Sequence, residues 1–364
     1  MRKQADTDAF PRLFNYWCVR TLRSQQGTTF NSMNSGIDVI GGSGFIGTRL
    51  VKRLLKSQQA PVVIIDKALS KTFPEMTVVG DVRSIDQMRQ SVSDGSIIVN
   101  LAAEHRDDVR PLSLYDDVNV GGAKNICAVA REKQTKTIVF TSSVAVYGFA
   151  PIGTDESGKI APFNDYGRTK HEAEQVFRAW QAEAPDKRTL VIIRPTVVFG
   201  EQNRGNVYNL LRQIASGRFV MVGRGQNRKS MAYVENVAAF IEHSLTFRPG
   251  VHIYNFIDKP DFTMNNLVGI VNRVFGRSEK IRFRLPFVVG YMIGKGFDGV
   301  AAMTGKRFAI SAIRVKKFCA NSVYNTALDQ TGFKPPVPLE KALEQTVRHE
   351  FIESHQAEEV FYTE

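Results

Sequence analysis

Residues 36–47 read GIDVIGGSGFIG, a short apolar run that leads into three glycines spaced three apart, Gly41, Gly44 and Gly47. In a strand–turn–helix unit of this pattern, the first glycine makes the tight turn and the second lets the backbone approach a pyrophosphate. The third lets the helix pack closely on the strand. The helix that follows, predicted from Thr48 to about Lys56, directs free N–H groups and a partial positive charge at the phosphates. The stretch therefore predicts a dinucleotide-binding fold.

The segments that follow continue the strand pattern of such a fold. The apolar run at 61–65 ends in Asp66, which is placed to accept hydrogen bonds from a ribose 2′-hydroxyl and to repel a 2′-phosphate. NAD is therefore favoured over NADP. Residues 78–82 and 99–103 are predicted as the third and fourth strands, with Asp81 facing the adenine amino group. The predicted cofactor-binding residues in this half are Gly41, Gly44, Phe45, Ile46, Gly47, Asp66, Asp81, Val82, Leu101, Ala102 and Ala103.

A second signal comes from Tyr166 and Lys170, which are four residues apart and would share one face of a helix. An ammonium group beside a phenol favours the phenolate and lowers the pKa of the phenol, so that the tyrosine can act as a base. Alone, this spacing is common on solvated helix faces. Because it follows a dinucleotide-binding pattern here, it predicts a catalytic pair that also contacts the cofactor.

Composition is consistent with an α/β enzyme. The chain has 364 residues, of which 43% are hydrophobic, so it can bury a substantial core in one large domain with a smaller appendage. Three scattered cysteines argue for a reducing compartment and against a disulfide scaffold or a zinc site. The six histidines show no metal-ligand spacing, so no metal is expected. No apolar stretch is long enough for a membrane-spanning helix.

The net charge of +12 is unevenly distributed along the chain. Residues 277–317 carry ten basic and two acidic side chains around an apolar stretch at 285–303 that is too short and too interrupted to cross a bilayer. We therefore predict a basic amphipathic, membrane-facing segment at 280–317, whose lysines and arginines reach anionic headgroups. A buried helix with a solvated basic rim is the alternative. Nucleic acid is not expected as a partner, because no base-stacking aromatic residues interleave with the charges.

These patterns predict an α/β protein with a Rossmann-type doubly wound parallel sheet and a smaller C-terminal α/β substrate domain. The NAD-binding domain is placed at 36–200, with 232–258 returning to it, and the substrate-binding domain at 201–350. Residues 1–35 lack strand or helix periodicity and are interpreted as an unstructured or misassigned N-terminal extension. No function is assigned to them.

From about residue 36 to residue 350, the chain resembles the extended short-chain dehydrogenase/reductases, and within them the NAD-dependent sugar epimerase/dehydratase family. The resemblance rests on the glycine turn, LAA at 101–103, VNVGG at 118–122, SSVAVYG at 142–148, the Tyr166–Lys170 pair and RPT at 194–196. It implies that Ser143 acts beside Tyr166 and Lys170 and that Asn119 supports the active site. It also implies that the backbone from Pro195 to Val198 holds the nicotinamide amide.

One departure from the family pattern favours a particular reaction. Family members that dehydrate nucleotide sugars carry an Asp-Glu pair after the serines, where this chain has Val144 and Ala145. Neither side chain can act as an acid or a base, so the resemblance favours epimerisation. In that reaction Tyr166 takes the proton of the sugar 4-hydroxyl while C4 gives its hydride to NAD⁺. The 4-keto sugar then rotates about the diphosphate, and the hydride returns to its other face.

The second half of the chain suggests the substrate. Lys229 stands where UDP-sugar epimerases carry a diphosphate-binding arginine, and a lysine can meet phosphate only as a point charge. LAAEHRDD at 101–108, FGEQNRGNVYN at 199–209, KSMAY at 229–233 and RVKKFC at 314–319 resemble bacterial epimerases acting on N-acetylglucosaminyl-diphospho-undecaprenol. That resemblance implies substrate contacts from His105, Arg106, Ser143, Asn203, Arg204 and Lys229. For His105 and Arg106, a loop hydrogen bond or a surface ion pair is the alternative.

The implied protein is an NAD-dependent isomerase that converts GlcNAc to GalNAc on a lipid diphosphate, for surface polysaccharide (O-antigen) synthesis. Such a substrate places it in the cytoplasm, peripheral on the inner face of the cell membrane, and is compatible with a homodimer. A soluble UDP-GlcNAc or UDP-glucose 4-epimerase is one alternative. A net NAD-dependent sugar or steroid-type dehydrogenase is another. A non-catalytic NAD sensor is disfavoured because Ser143, Tyr166 and Lys170 are all present.

Overall fold

The computed structural model describes residues 36–58, 60–106, 109–281, 283–305, 311–355 and 358–362. The N-terminal extension predicted at 1–35 lies outside the described residues. So do Asp107, Asp108, Arg282 and residues 306–310, which belong to the motifs and the basic segment considered above.

A parallel sheet forms the centre of the fold. The strands, in chain order, are β1 (Ile37–Ile40), β2 (Val62–Asp66), β3 (Thr77–Val79), β4 (Ile97–Asn100), β5 (Thr137–Thr141), β6 (Thr189–Pro195), β7 (Val197–Phe199), β8 (Met221–Val222), β9 (Arg228–Tyr233), β10 (Gly250–Phe256), β11 (Asp258–Thr263) and β12 (Arg284–Leu285). Seven of them form the main sheet in the order β3-β2-β1-β4-β5-β6-β10, all parallel. The order reverses between β1 and β4, and ligands bind at such switch points.

Helices cover both faces of this sheet. The helices of seven or more residues, in chain order, are α1 (Phe45–Ser57), α2 (Ile85–Ser91), α3 (Gly122–Glu132), α4 (Asp165–Ala182), α5 (Asn206–Ala215), α6 (Val234–Ser244), α7 (Met264–Val274), α8 (Phe287–Thr304), α9 (Ala312–Cys319) and α10 (Leu339–Phe351). Apolar side chains of α1 and α6 pack on one face, and those of α2, α3 and α4 on the other. Buried apolar residues on both faces are what an all-parallel sheet requires. The predicted fold class is thereby confirmed.

A second, smaller core lies beyond the main sheet. Strands β7, β9 and β11 form a three-stranded sheet, and β8 pairs with β12. Helices α5, α7 and α10 pack around this part through buried side chains that include Leu211, Leu267 and Leu343. Strand β10 joins the main sheet beside β6. The predicted division of the chain at residue 200 stays a prediction.

Some predicted boundaries were wrong. Strand β3 ends at Val79 and β4 at Asn100, so the cofactor residues predicted on their last positions lie in the following loops. The reason at β4 is local, because the side-chain oxygen of Asn100 accepts the N–H of Ala102 at 3.1 Å and turns the chain out of the ladder. Helix α1 begins at Phe45, earlier than expected, because Gly44 already serves as its N-cap residue.

Candidate active site

The glycine turn brings three backbone segments into close contact. Gly41 has a φ of +78°, and a Cβ there would lie 2.6 Å from the nitrogen of Ala102. A Cβ on Gly47 would lie 2.6 Å from the Cα of Gly42. Side chains at either position would push apart the turn, the start of α1 and the loop after β4. The geometry therefore agrees with the roles predicted for these glycines.

The N-terminus of α1 has the features of a phosphate site. Its N-cap, Gly44, offers no side-chain acceptor, whereas Ser84 and Asn164 cap α2 and α4 with side-chain oxygens. The first-turn N–H groups, including those of Phe45 and Ile46, are thus left for an external anion. A dinucleotide pyrophosphate fits this donor set.

Two acidic residues at this edge of the sheet differ in their surroundings. Asp66 is half-buried at the end of β2 and accepts the N–H of Ser43 at 3.1 Å, which ties it to the glycine turn. Asp81 forms an ion pair with Arg83 at 2.6 Å, and hydrogen bonding to that guanidinium lowers the pKa of Asp81. Sequence analysis did not foresee this pairing, and an adenine contact from Asp81 stays a prediction.

The other predicted cofactor residues lie around the same edge. Val82 is buried, and a Cβ on Gly122 of α3 would lie 2.9 Å from its side chain. Leu101, Ala102 and Ala103 follow β4 and are half-buried. On the far side of the site, Pro195 ends β6, and the half-buried Val198 lies in β7.

Tyr166 and Ser143 are brought together by close packing of two backbones. Asn164 caps α4, so Tyr166 lies in its first turn. Ser143 caps the short 3₁₀ helix Val144–Tyr147 by accepting the N–H of Ala145. A Cβ on Gly167 would lie 2.5 Å from the oxygen of Ala145, so α4 can approach the serine turn only because residue 167 is glycine. The Ser143 hydroxyl consequently lies near the phenol and acts to lower the pKa of Tyr166.

Lys170 lies one turn further along α4 and is almost fully buried. Its Nζ donates to the carbonyl oxygen of Thr141 at 2.8 Å and lies 4.8 Å from the centre of the Phe140 ring. Burial lowers the pKa of Lys170 to about 7, and the charge of Glu174 acts in the opposite direction. In the protein alone, this ammonium therefore loses its proton close to neutral pH.

The expectation that Lys170 lowers the pKa of Tyr166 was wrong for the protein alone. Burial raises the pKa of Tyr166, the Ser143 hydrogen bond acts to lower it, and the nearby Tyr115 raises it. The cause is the depth of the site, because burial in a low-dielectric environment disfavours the phenolate and the ammonium alike. The spacing of the two residues in the sequence contains no information about that depth.

A buried charge cluster behind the catalytic residues was missed by the sequence analysis. Arg194 and Glu174 form an ion pair at 2.5 Å, and both side chains are almost completely buried. Ser142 donates to the same carboxylate, and Arg194 also donates to the hydroxyl of Tyr147. Burial alone would raise the pKa of Glu174, but its hydrogen bonds, led by that from Arg194, lower it to about 2. In the sequence, the RPT motif at 194–196 marked Arg194 but did not indicate its buried partner.

Asn119 also occupies a buried structural position. It lies in a π-helical stretch, Asp116–Gly121, that leads into α3. Its side chain bonds both backbone groups of Glu104 and donates to the hydroxyl of Thr169 at 3.0 Å. These bonds join the loop after β4 to α4. This agrees with a supporting role.

The predicted substrate residues do not form one cluster. His105 and Arg106 lie exposed in the loop after β4, and Arg106 pairs with Glu104 at 3.2 Å. Although the residue is exposed as a whole, neighbouring protein atoms partly desolvate its ring, which lowers the pKa of His105. Lys229 donates to the backbone oxygen of Lys317 at 2.9 Å, which connects β9 to α9.

Asn203 and Arg204 contact the C-terminal part of the chain. The buried Asn203 forms a β-bridge with Phe361 near the C-terminus. Arg204 pairs with Glu350 at 2.5 Å and stacks over the ring of Tyr208. These contacts join segments that are far apart in the sequence, and the substrate contacts expected from both residues stay predictions.

Residues 37–256 match the model of the NAD dependent epimerase/dehydratase family. The chain belongs to this family. It is 45% identical to the N-acetyl-alpha-D-glucosaminyl-diphospho-ditrans,octacis-undecaprenol 4-epimerase of Escherichia coli O157:H7, over 91% of this chain and 100% of that one. It is 31% identical to the UDP-glucose 4-epimerase of Vibrio cholerae, over 87% of this chain and 95% of that one.

Solved structures support the same fold. The UDP-glucuronic acid 4-epimerase of Bacillus cereus, crystallised with NAD, matches with a TM-score of 0.65 at 17% identity, over 86% of this chain and 98% of that one. Membership of the epimerase/dehydratase family confirms the expectation of an NAD-dependent enzyme of the epimerase type. The uncapped N-terminus of α1 and the carboxylate of Asp66 fit that cofactor.

Proposed function

We propose that this epimerase/dehydratase chain inverts C4 of N-acetylglucosamine linked through a diphosphate to undecaprenol, giving the N-acetylgalactosamine form for surface polysaccharide synthesis. The observation that carries the proposal is the 45% identity to a relative of that name over the relative's whole length. The exposed apolar helix α8 gives an independent physical reason for a lipid-linked substrate.

The residues of the site can perform the proton transfers of this reaction. NAD, when bound, supplies the acceptor and donor of the C4 hydrogen. Tyr166 and Ser143 lie near each other, so both can hold the sugar 4-oxygen, and Tyr166 takes and returns its proton. Lys170, one helical turn from Tyr166 on α4, supplies positive charge to the site when it is protonated. Positions 144 and 145 carry no acid or base, which favours epimerisation over loss of water.

Helix α8 attaches to the rest of the protein through its two buried glycines. A Cβ on Gly294 would lie 2.6 Å from the nitrogen of Ala312, and one on Gly290 would lie 2.7 Å from Val222. With the small residues facing inwards, the bulky apolar side chains face solvent. Exposed fractions reach 69% for Val288, 63% for Met292 and 87% for Met303.

Basic residues precede, interrupt and follow this apolar helix in the chain. Lys280, Arg284, Lys295, Arg314, Lys316 and Lys317 are the described members. Within the described ranges, none of the helices combines the length and apolar character that a bilayer crossing needs. An apolar helix lying in the headgroup region, with cations at its margin, suits an anionic membrane surface. We infer peripheral attachment to the inner face of the cell membrane through α8. The homodimer stays a prediction.

The substrate is tested with purified enzyme supplied either with detergent-dispersed N-acetylglucosaminyl-diphospho-undecaprenol or with UDP-GlcNAc. Product sugars are released and separated to measure C4 inversion. We expect inversion on the lipid-linked sugar and a drop of about 10²–10⁴-fold in Tyr166→Phe. Faster conversion of UDP-GlcNAc would favour a soluble nucleotide-sugar epimerase, and unchanged inversion in Tyr166→Phe would remove this residue from the chemistry.

Membrane attachment is tested by flotation with phosphatidylglycerol-containing vesicles and with neutral phosphatidylcholine vesicles. We expect flotation with the anionic vesicles and its loss in a Val288→Glu, Met292→Glu double variant. Leu69→Glu, an exposed apolar position outside α8, is the matched control and should float. Equal flotation of the double variant and the wild type would rule out α8 as the attachment surface.

A further inference from the structure

The C-terminal segment folds back over the start of the dinucleotide-binding helix. The N–H of Phe361 donates to the oxygen of Gln202 at 2.9 Å, and its own oxygen accepts the N–H of Arg204 at 2.8 Å. The Phe361 ring is buried and lies 5.8 Å from the ring of Phe45, the first residue of α1. The last described residues therefore pack against the N-terminus of α1, where the dinucleotide is expected to bind.

Two histidines and a glutamate hold this segment against the end of α10. Nε2 of His349 and Nδ1 of His355 each lie 3.0 Å from an oxygen of Glu358. The two imidazole rings stack at 3.7 Å between centres, with 21° between their planes. One ligand atom from each of the three residues lies within 4.8 Å of the others.

Each histidine has a further carboxylate at its other ring nitrogen. Nδ1 of His349 lies 3.4 Å from Glu350, and Nε2 of His355 lies 3.5 Å from Glu353. A neutral imidazole has one N–H, so it can donate to only one of its two carboxylates and turns a lone pair towards the other. Among the described residues, Nδ1 of His349 is buried without a hydrogen-bond partner.

A bound cation would remove this unfavourable contact between an imidazole lone pair and a carboxylate. If Glu350 and Glu353 accept the N–H groups, the remaining lone pairs of His349 and His355 both point at the region of Glu358. Carboxylates behind metal-binding imidazoles are the usual outer partners that orient such ligands.

We propose that His349, His355 and Glu358 bind a divalent transition-metal ion of the zinc class, with water completing its coordination. Two imidazole nitrogens and one carboxylate oxygen are a ligand set that zinc accepts. The ion fastens the C-terminal segment to α10 and thereby holds Phe361 against Phe45. The histidines gave no metal-ligand spacing in the sequence because the chain turn after α10, and not one helix face, brings them together.

The test uses the untagged full-length chain, stripped with a chelator and titrated with zinc chloride by calorimetry. Cobalt absorption serves as a second measure of coordination. We expect roughly one zinc ion per chain and a higher melting temperature with zinc. Both effects should be lost in His355→Ala and retained in His252→Ala, a control histidine in β10 that contacts the backbone oxygen of Arg248.

A second variant tests the outer carboxylate. Glu353→Gln keeps the three ligands and should weaken zinc binding about 10–100-fold. Zinc binding that is the same in His355→Ala as in the wild type would overturn the proposal. So would the absence of zinc binding in the wild-type chain.

Discussion

Replacement of Lys170 by methionine tests the most unusual property of the site, a lysine with a pKa of about 7. In the unfolded chain this group has a pKa of about 10.4. Between these two values the unfolded chain binds a proton that the folded chain does not. The contribution of Lys170 to the free energy of unfolding should therefore rise with pH over this window.

The magnitude follows from the two pKa values. Between pH 7 and pH 9 the unfolded lysine stays protonated, while the folded one changes from half protonated to nearly neutral. The wild type should gain about 2 kcal/mol of unfolding free energy relative to Lys170→Met over these two pH units. Below pH 7 the difference between the two proteins should stop changing, because both states of the wild type are then protonated.

The assay is urea unfolding of the NAD-free protein at pH 7, 8 and 9, followed by the fluorescence of the buried Trp180. Lys159→Met, at an exposed position, is the control and should show the same pH slope as the wild type. Parallel slopes for the wild type and Lys170→Met would refute the argument that burial depresses this pKa. A wild type that loses stability relative to the variant as pH rises would reverse its sign.

Two further changes test the parts of the site that surround Lys170. Glu174→Gln leaves a buried guanidinium unpaired and should cost about 3–5 kcal/mol in urea unfolding, whereas Glu183→Gln, in an exposed ion pair, should cost less than about 1 kcal/mol; equal costs would contradict the buried pairing. Gly47→Ala forces a methyl group into the backbone of the glycine turn and should cost about 1–3 kcal/mol while lowering retained NAD. Gly299→Ala, where a methyl group meets open space, should retain NAD, and similar NAD loss in both would refute the close-packing argument.

The cofactor half of the site was predictable because its determinants are local in sequence. The glycine turn, the acidic end of β2 and the Tyr166–Lys170 pair each lie within a few residues, and strand–turn–helix geometry dictates where they meet. Strand ends were less predictable. The turn after β4 depends on one Asn100 hydrogen bond, which competes with the ladder only in the folded chain.

The buried charges could not be predicted for a different reason. Ser142, Glu174 and Arg194 come from three separate elements, and their contact depends on how α4 lies against β5 and β6. Ser142 directly follows β5, and its hydroxyl donates to the Glu174 carboxylate of α4. The same burial reverses the expected effect on Tyr166, because desolvation outweighs the hydrogen bond that lowers its pKa.

The cofactor and the substrate therefore differ in how well they can be predicted from the sequence. Cofactor identity depends on backbone geometry within short segments, so a pattern of glycines and one carboxylate is enough to predict it. Arg204 and Lys229, two of the residues predicted to contact the substrate, bond Glu350 and the backbone of Lys317, which are 146 and 88 residues away in the sequence. Contacts over such separations cannot be read from a local pattern. For this reason the choice between a lipid-linked and a nucleotide-linked sugar depends on product analysis and on the exposed surface of α8, and not on any single basic residue.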